Sequence, residues 1–142
     1  MKSKIIFSKN SDNWKTPILL YNYYMTHDYF DPCPYNSEFD GLQIEWQGKN
    51  FVNPPYSKIK EFVNKSIEEH KKGKKVILLI PARTDTMYFR KLVDYGCWIV
   101  FITGRLHFNE SGSAPFPSCL IDLNGEKTKC YWQDRKEIEN EE

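Results

Sequence analysis

Pro54 and Pro55 stand side by side between an apolar run and an amphipathic one. A proline fixes its own φ, has no N–H to donate and pushes the preceding residue out of the α region, so neither a strand ladder nor a helix can continue through the pair. The run Lys49 to Val52 must end here as a strand, and whatever follows must start afresh. Ser57 suits the N-cap of that next element, a helix with Ile59, Phe62, Val63 and Ile67 on one face and an end near Gly73. Strand, rigid junction and helix together are a unit of an α/β fold.

The alternation runs along the rest of the chain. Residues 16–27 predict a helix opened by Thr16 and Pro17, with the proline at the first helical position, where its missing N–H costs nothing. Tyr29-Phe30-Asp31 reads as a short strand ending in a carboxylate, and Lys75 to Ile80 as a buried strand. Thr84 to Tyr95 reads as a helix with Phe89, Leu92 and Val93 inward, closed by Gly96, and Cys97 to Ile102 as a further strand. Segments around Arg105 to Phe108, Ser118 to Leu123 and Thr128 to Trp132 suit strands, with turns at Asn109 to Pro117 and at Asn124-Gly125. A mixed or parallel sheet covered by helices is expected, followed beyond about Gln133 by a polar tail. Open sheets of this kind bind ligands beyond the carboxyl ends of their strands, where Asp31, Asn53, Pro81 and Thr103 would meet.

The proline junction also carries chemistry. Asn53 brings a neutral side-chain carbonyl, and the backbone carbonyl of Pro54 points in a fixed direction beside it, so two acceptors can hold one N–H₂ group. Tyr56 adds a flat face on which a planar ring can stack, an interaction worth roughly 1–3 kcal/mol for a nucleic-acid base. The ligand implied is a planar heterocycle bearing an amino group.

Asn53-Pro54-Pro55-Tyr56 resembles the catalytic motif of enzymes that methylate exocyclic amino nitrogens with S-adenosylmethionine. Trp14-Lys15-Thr16-Pro17, Asp31-Pro32-Cys33, the run Leu79 to Thr86 and Gly104-Arg105-Leu106-His107-Phe108 follow in an order similar to the phage DNA N6-adenine methyltransferase family. The resemblance implies a minimal Rossmann-like α/β methyltransferase sheet with helices on both faces, forming a catalytic domain over residues 1–133 ahead of an acidic disordered tail, 134–142. It further implies S-adenosylmethionine as donor, no metal, and direct transfer to a flipped-out adenine in double-stranded DNA. Asn53, Pro54, Pro55 and Tyr56 are then the catalytic positions. Trp14, Thr16, Pro17, Asp31, Pro32, Cys33 and Asp40 become the cofactor positions, and Tyr56, Ser57, Arg83, Thr84, Asp85, Arg105 and Phe108 the substrate positions. The Gly-rich turn usual after the first strand of methyltransferases is missing, since no glycine follows Asp31 until Gly41.

Several of these positions also have a structural reading. Thr16 could be only an N-cap, Asp40 only a turn residue ahead of Gly41, Phe108 only a core residue, and each arginine only an ion-pair partner. Pro32-Cys33 resembles the Pro-Cys nucleophile of cytosine C5 methyltransferases, but an amino-nitrogen clamp has no role for a thiolate. Enzymes that use the same clamp on RNA or a protein glutamine, and an inactive nucleic-acid-binding relative, also fit the residues.

Composition narrows the classes. The 142 residues, 40% hydrophobic and 15% aromatic, suit one globular domain. No apolar run approaches the ~20 residues that span a bilayer, and the run after Lys2 and Lys4 stops at Phe7, so an intracellular, cytoplasmic protein is expected, in a bacterial cell or phage-infected host. Cys33, Cys97, Cys119 and Cys130 form no C-x-x-C pair and read as reduced thiols. Net charge is only +1, yet lysines crowd Lys58 to Lys75 while glutamates close the chain, so the body is more basic than the total. On a helix such lysines are usually a solvated face. A domain this small could also form a homodimer to cover a duplex.

Overall fold

The computed structural model describes residues 15–107 and 113–139. The elements are α1 (Ile18–Thr26), β1 (Lys49–Val52), a 3-10 turn (Tyr56–Lys58), α2 (Ile59–Lys71), β2 (Lys75–Pro81), α3 (Met87–Tyr95), β3 (Cys97–Thr103), β4 (Ser118–Leu123), β5 (Lys129–Asp134) and α4 (Arg135–Glu139). The five strands form one mixed sheet in the order β1-β2-β4-β3-β5. β1 pairs parallel with β2, and β3 with β5, while β4 runs antiparallel between β2 and β3. The carboxyl ends of β1, β2, β3 and β5 therefore share one edge of the sheet.

Helices cover both faces because β2 is apolar at every position but its first. Val76, Leu78 and Ile80 pack with Ile59, Phe62, Val63 and Ile67 of α2 and with Phe89 and Leu92 of α3. Ile77 and Leu79, on the opposite face, pack with Leu20 and Tyr24 of α1. Tyr24 stacks on Phe51 of β1 at 4.3 Å. Burial of each such side chain contributes roughly 1.5–3 kcal/mol, so this two-sided packing is what holds the helices on the sheet. No helix among the described residues is long and apolar enough to cross a membrane.

Several local expectations change. Tyr29 to Asp31 is not a full strand but a single parallel bridge, Phe30 to Asn50, which still sets Asp31 beside the end of β1. Pro17 takes the N-cap position of α1 instead of the first helical one, and Thr16 makes no cap bond. Ser57 does not cap α2: after extended Pro55 the chain first tightens into the 3-10 turn, with Lys58 N–H donating to the Pro55 carbonyl, and Lys58 becomes the N-cap. α3 starts at Met87 instead of Thr84, because the Thr86 hydroxyl accepts from Phe89 N–H and donates to the Arg83 carbonyl. Arg105 to His107 forms no strand and is tied back by Ala114 N–H donating to the Leu106 carbonyl.

The tail changes as well. Asp134 closes β5, and α4 follows at once, where the sequence reads a disordered segment. Glu139 accepts from His107 N–H at 3.0 Å and from Arg135 Nη1 at 3.0 Å, so charges that look like solvent-facing tail residues clasp the segment after β3.

Candidate active site

The proline junction leaves β1 with Asn53 buried at 6% exposure and Pro54 buried behind it. Two segments remote in sequence hold Asn53. Its Nδ2 donates to the Thr16 hydroxyl at 3.0 Å, and its backbone carbonyl accepts from the Cys33 thiol at 3.3 Å. The bond to Thr16 sets the rotation of the amide and with it the direction of the side-chain carbonyl. Thr16, just ahead of α1, is thus a side-chain partner of the clamp and not a helix cap.

Beside the clamp lies a cavity of about 350 Å³ lined by Lys15, Thr16, Ile18, Tyr21, Asp31, Cys33, Pro34, Tyr35 and Asn53. Lys15 lies over the Tyr35 ring at 5.6 Å. Asp31 Oδ1 accepts from Cys33 N–H at 3.0 Å, but burial outweighs that bond and pushes the carboxyl up to about 6. Burial, with help from the Asp31 charge, also pushes the Cys33 thiol well above its ordinary range despite its bond to Asn53. A thiol so disposed stays protonated, and a protonated thiol is a poor nucleophile. A carboxylate short of solvent beside aromatic and neutral polar groups suits a ligand with a cationic or hydroxyl-bearing part.

A glycine remote from the turn after Asp31 packs against it. A Cβ on Gly41 would sit 1.9 Å from the Pro32 carbonyl oxygen, so only glycine fits where this segment crosses the turn. Trp46 Nε1 donates to the Gly41 carbonyl at 2.8 Å and fixes the crossing. Asp40 is not brought to the cavity. It is exposed, and its carboxylate accepts from Leu42 N–H at 2.9 Å, which is the turn reading of that residue.

On the other side of the clamp, the Tyr56 ring meets Phe116 edge-on at 5.1 Å, and the Arg83 guanidinium lies 5.9 Å from the centre of the Phe116 ring. Burial raises the Tyr56 hydroxyl far more than nearby Arg83 lowers it, so the phenol is neutral. Phe116 is absent from the sequence-based site because it falls in a stretch read as turn; its place between Pro115 and Pro117 was the available signal for a rigidly held aromatic. Ala82 N–H donates to the Pro117 carbonyl, which docks this loop on the end of β2. Ser57, Thr84 and Asp85 are exposed at the same edge. Arg105, also exposed, reaches the Ala114 carbonyl at 3.4 Å in the loop that carries Phe116. Trp14 and Phe108 lie outside the described residues.

With this geometry in hand, comparison with known proteins finds that residues 2–133 match the family described as DNA N-6-adenine-methyltransferase (Dam). The chain belongs to this family. A DNA N-6-adenine-methyltransferase of Escherichia phage T1 is 33% identical over 75 residues, which cover 51% of this chain and 31% of that protein. The chain thus matches about a third of that relative's length. Among solved structures, one described as a predicted O-methyltransferase from Agrobacterium tumefaciens has 14% sequence identity and a TM-score of 0.37, covering 66% of this chain and 44% of that one, a likeness too slight to argue from.

The DNA N-6-adenine-methyltransferase family is the one that Asn53 to Tyr56 and the segments around it resemble. Of the residues which that resemblance assigns to a cofactor, Thr16, Asp31 and Cys33 meet at one cavity, with Pro17 and Pro32 buried next to them in sequence, while Asp40 stands apart. Tyr56 and Arg83 of the substrate set converge on Phe116. Asn53 lines the cavity and lies three residues before Tyr56.

Proposed function

We propose that this chain transfers the methyl group of S-adenosylmethionine to N6 of an adenine flipped out of double-stranded DNA, in the cytoplasm of a bacterial or phage-infected cell. The observation that carries the reading is the double tether of Asn53, to Thr16 through its amide nitrogen and to Cys33 through its backbone carbonyl. Both partners line the Asp31 cavity, so Asn53 is built into the wall of a pocket that Tyr56 does not line.

Bound S-adenosylmethionine would supply an electrophilic methyl group, and the cavity residues fit its parts. A volume of about 350 Å³ falls within the roughly 300–1,000 Å³ of small-ligand sites. The desolvated Asp31 carboxylate gains from an ammonium group or from ribose hydroxyls, and Tyr21 and Tyr35 offer apolar ring surface to an adenine. Thr16 and Cys33 border the ligand, and Pro17 and Pro32 stiffen the backbone beside them.

Asn53 and Pro54 act on the acceptor nitrogen. Their carbonyls accept the two N–H bonds of the adenine amino group and favour a pyramidal nitrogen whose lone pair turns toward the methyl. The two acceptors act most strongly as positive charge develops on nitrogen, which stabilises the transition state more than the ground state. Asn53 is neutral, so it polarises and does not act as a general base. Pro55 keeps Tyr56 in position as the stacking surface, which a base reaches only after leaving the duplex. Ser57, Arg83, Thr84, Asp85 and Arg105 meet the DNA around it.

Modified-base sequencing of DNA from cells expressing the chain tests the reading. N6-methyladenine in a defined sequence context is the expected result. Unmodified DNA, together with labelled methyl recovered in RNA or on protein glutamine, would replace DNA as the substrate.

A further inference from the structure

The lysines crowded between Lys58 and Lys75 divide into two populations. Toward the amino ends of the strands most are paired: Lys65, Lys72 and Lys74 with Glu69, Lys72 and Lys74 also with Glu45, and Lys75 with Asp122, while Lys71 lies over the Tyr95 ring at 5.9 Å. At the carboxyl edge, Lys58 and Lys60 have no acidic partner among the described residues, nor does Lys91 of the neighbouring helix.

Lys60 and Lys91 border a groove. Between the first half of α2 and the length of α3 lies a depression of about 330 Å³ lined by Lys60, Asn64, Met87, Tyr88, Arg90, Lys91 and Asp94. Its one acidic residue, Asp94, is engaged by Arg90 at 3.3 Å, which leaves Lys60 and Lys91 as net positive charge. Lys91 Nζ donates to Asn64 Oδ1 at 2.5 Å, which holds that ammonium across the groove before any ligand arrives. Tyr88 reaches the Pro81 carbonyl with its hydroxyl at 3.4 Å, joining the groove to the end of β2 from which Arg83 emerges. The 3-10 turn that begins with Tyr56 leads directly into α2. One end of the groove therefore lies at the edge where the clamp stands.

We propose that this groove carries the phosphodiester backbone of the DNA beside the flipped nucleotide, with Lys60 and Lys91 as its phosphate contacts. The inference rests on the DNA reading above and adds the path of the strand. Phosphate contacts set register and orientation without reading sequence, and each releases condensed counterions, so each adds about 0.9 to the slope of log affinity against log salt.

The test compares duplex binding by the full chain with binding by the double variant Lys60→Gln, Lys91→Gln, using fluorescence anisotropy with a labelled duplex. The variant should lose about 1.8 from the salt slope, making its affinity about tenfold less sensitive to a change from about 50 to about 200 mM salt. The loss should be alike for all duplex sequences, with S-adenosylmethionine binding by calorimetry unchanged. Lys72→Gln, at the paired end of α2, should keep the wild-type slope. A steep wild-type slope that the double variant retains would overturn the groove and leave the DNA reading intact. A wild-type chain with no salt-dependent duplex binding would overturn both. A thermal melt of each variant excludes unfolding as the cause.

Discussion

Asp31 and Glu69 are carboxylates at opposite edges of one sheet, the first half-buried and the second buried, and their surroundings move them in opposite net directions. Glu69 is 1% exposed. Burial alone would raise it, but bonds from Lys74, Lys72, Lys65 and Trp46 N–H prevail and bring it down to about 2. Asp31 has one backbone bond against burial and rises to about 6. The amino edge is thus a finished polar network, whereas the carboxyl edge keeps a carboxylate whose charge the protein does not fully compensate. Unmet demand of this kind collects where a ligand is to complete it.

The two edges also respond to pH with opposite sign. Glu69 holds its proton less tightly in the folded chain, so its contribution is complete above its usual 4.5 and is lost as pH falls toward about 2. Asp31 holds its proton more tightly when folded, so the chain loses stability as pH rises from 3.8 to about 6 and then levels off.

The contrast can be broken first at the clamp. Asn53→Ala should lower methyl transfer by about 10²–10³ while leaving the melting temperature and donor affinity near wild type. Normal turnover would remove the clamp from the mechanism. At the other edge, Glu69→Ala strands several ammonium groups and should destabilise the chain by about 3–5 kcal/mol, read by urea unfolding, without changing transfer per folded molecule. If transfer fell while stability held, the division of labour between the edges would be wrong.

Asp31→Asn sharpens the comparison, because it should act in both directions at once. Above pH 6 it should stabilise the ligand-free chain by roughly 1–3 kcal/mol and weaken S-adenosylmethionine binding about tenfold or more. Wild-type affinity should itself rise with pH through about 6, as calorimetry across that range would detect. Thr16→Val should reduce kcat about tenfold through loss of a hydrogen bond that orients Asn53, with Thr16→Ser restoring it. Equal loss in both variants would make Thr16 a packing residue. The smallest effect belongs to Cys33→Ser, which should keep transfer within about threefold, since a hydroxyl can still donate to the Asn53 carbonyl. Complete loss of transfer with donor binding intact would call for a thiolate mechanism.

Much of this was legible in order along the chain. The proline pair ends β1 by a local rule, and β2 declares itself by an apolar run with helical patterns on either side. Those elements suffice to bring Asp31 and Asn53 to one edge. Gly41 was not legible, since its need for no side chain comes from crossing Pro32, nine residues earlier. Phe116 and the clasp of His107 by Glu139 were hidden for the same reason, as both depend on which loops meet after folding. Ser57 failed as a cap because a 3-10 turn intervenes, a choice set by the geometry after Pro55.

By itself, then, the sequence determined the alternation of elements, the rigid Asn-Pro-Pro-Tyr junction and the family that it resembles, all properties of neighbouring residues and backbone stiffness. Only the tertiary structure decided that Thr16 meets Asn53, that Asp40 serves a turn, and that Lys65 and Lys72 are drawn to Glu69 while Lys60 borders a groove. Charge and hydrogen bonding depend on distance in space, and a chain acquires those distances only when its sheet has brought remote segments together.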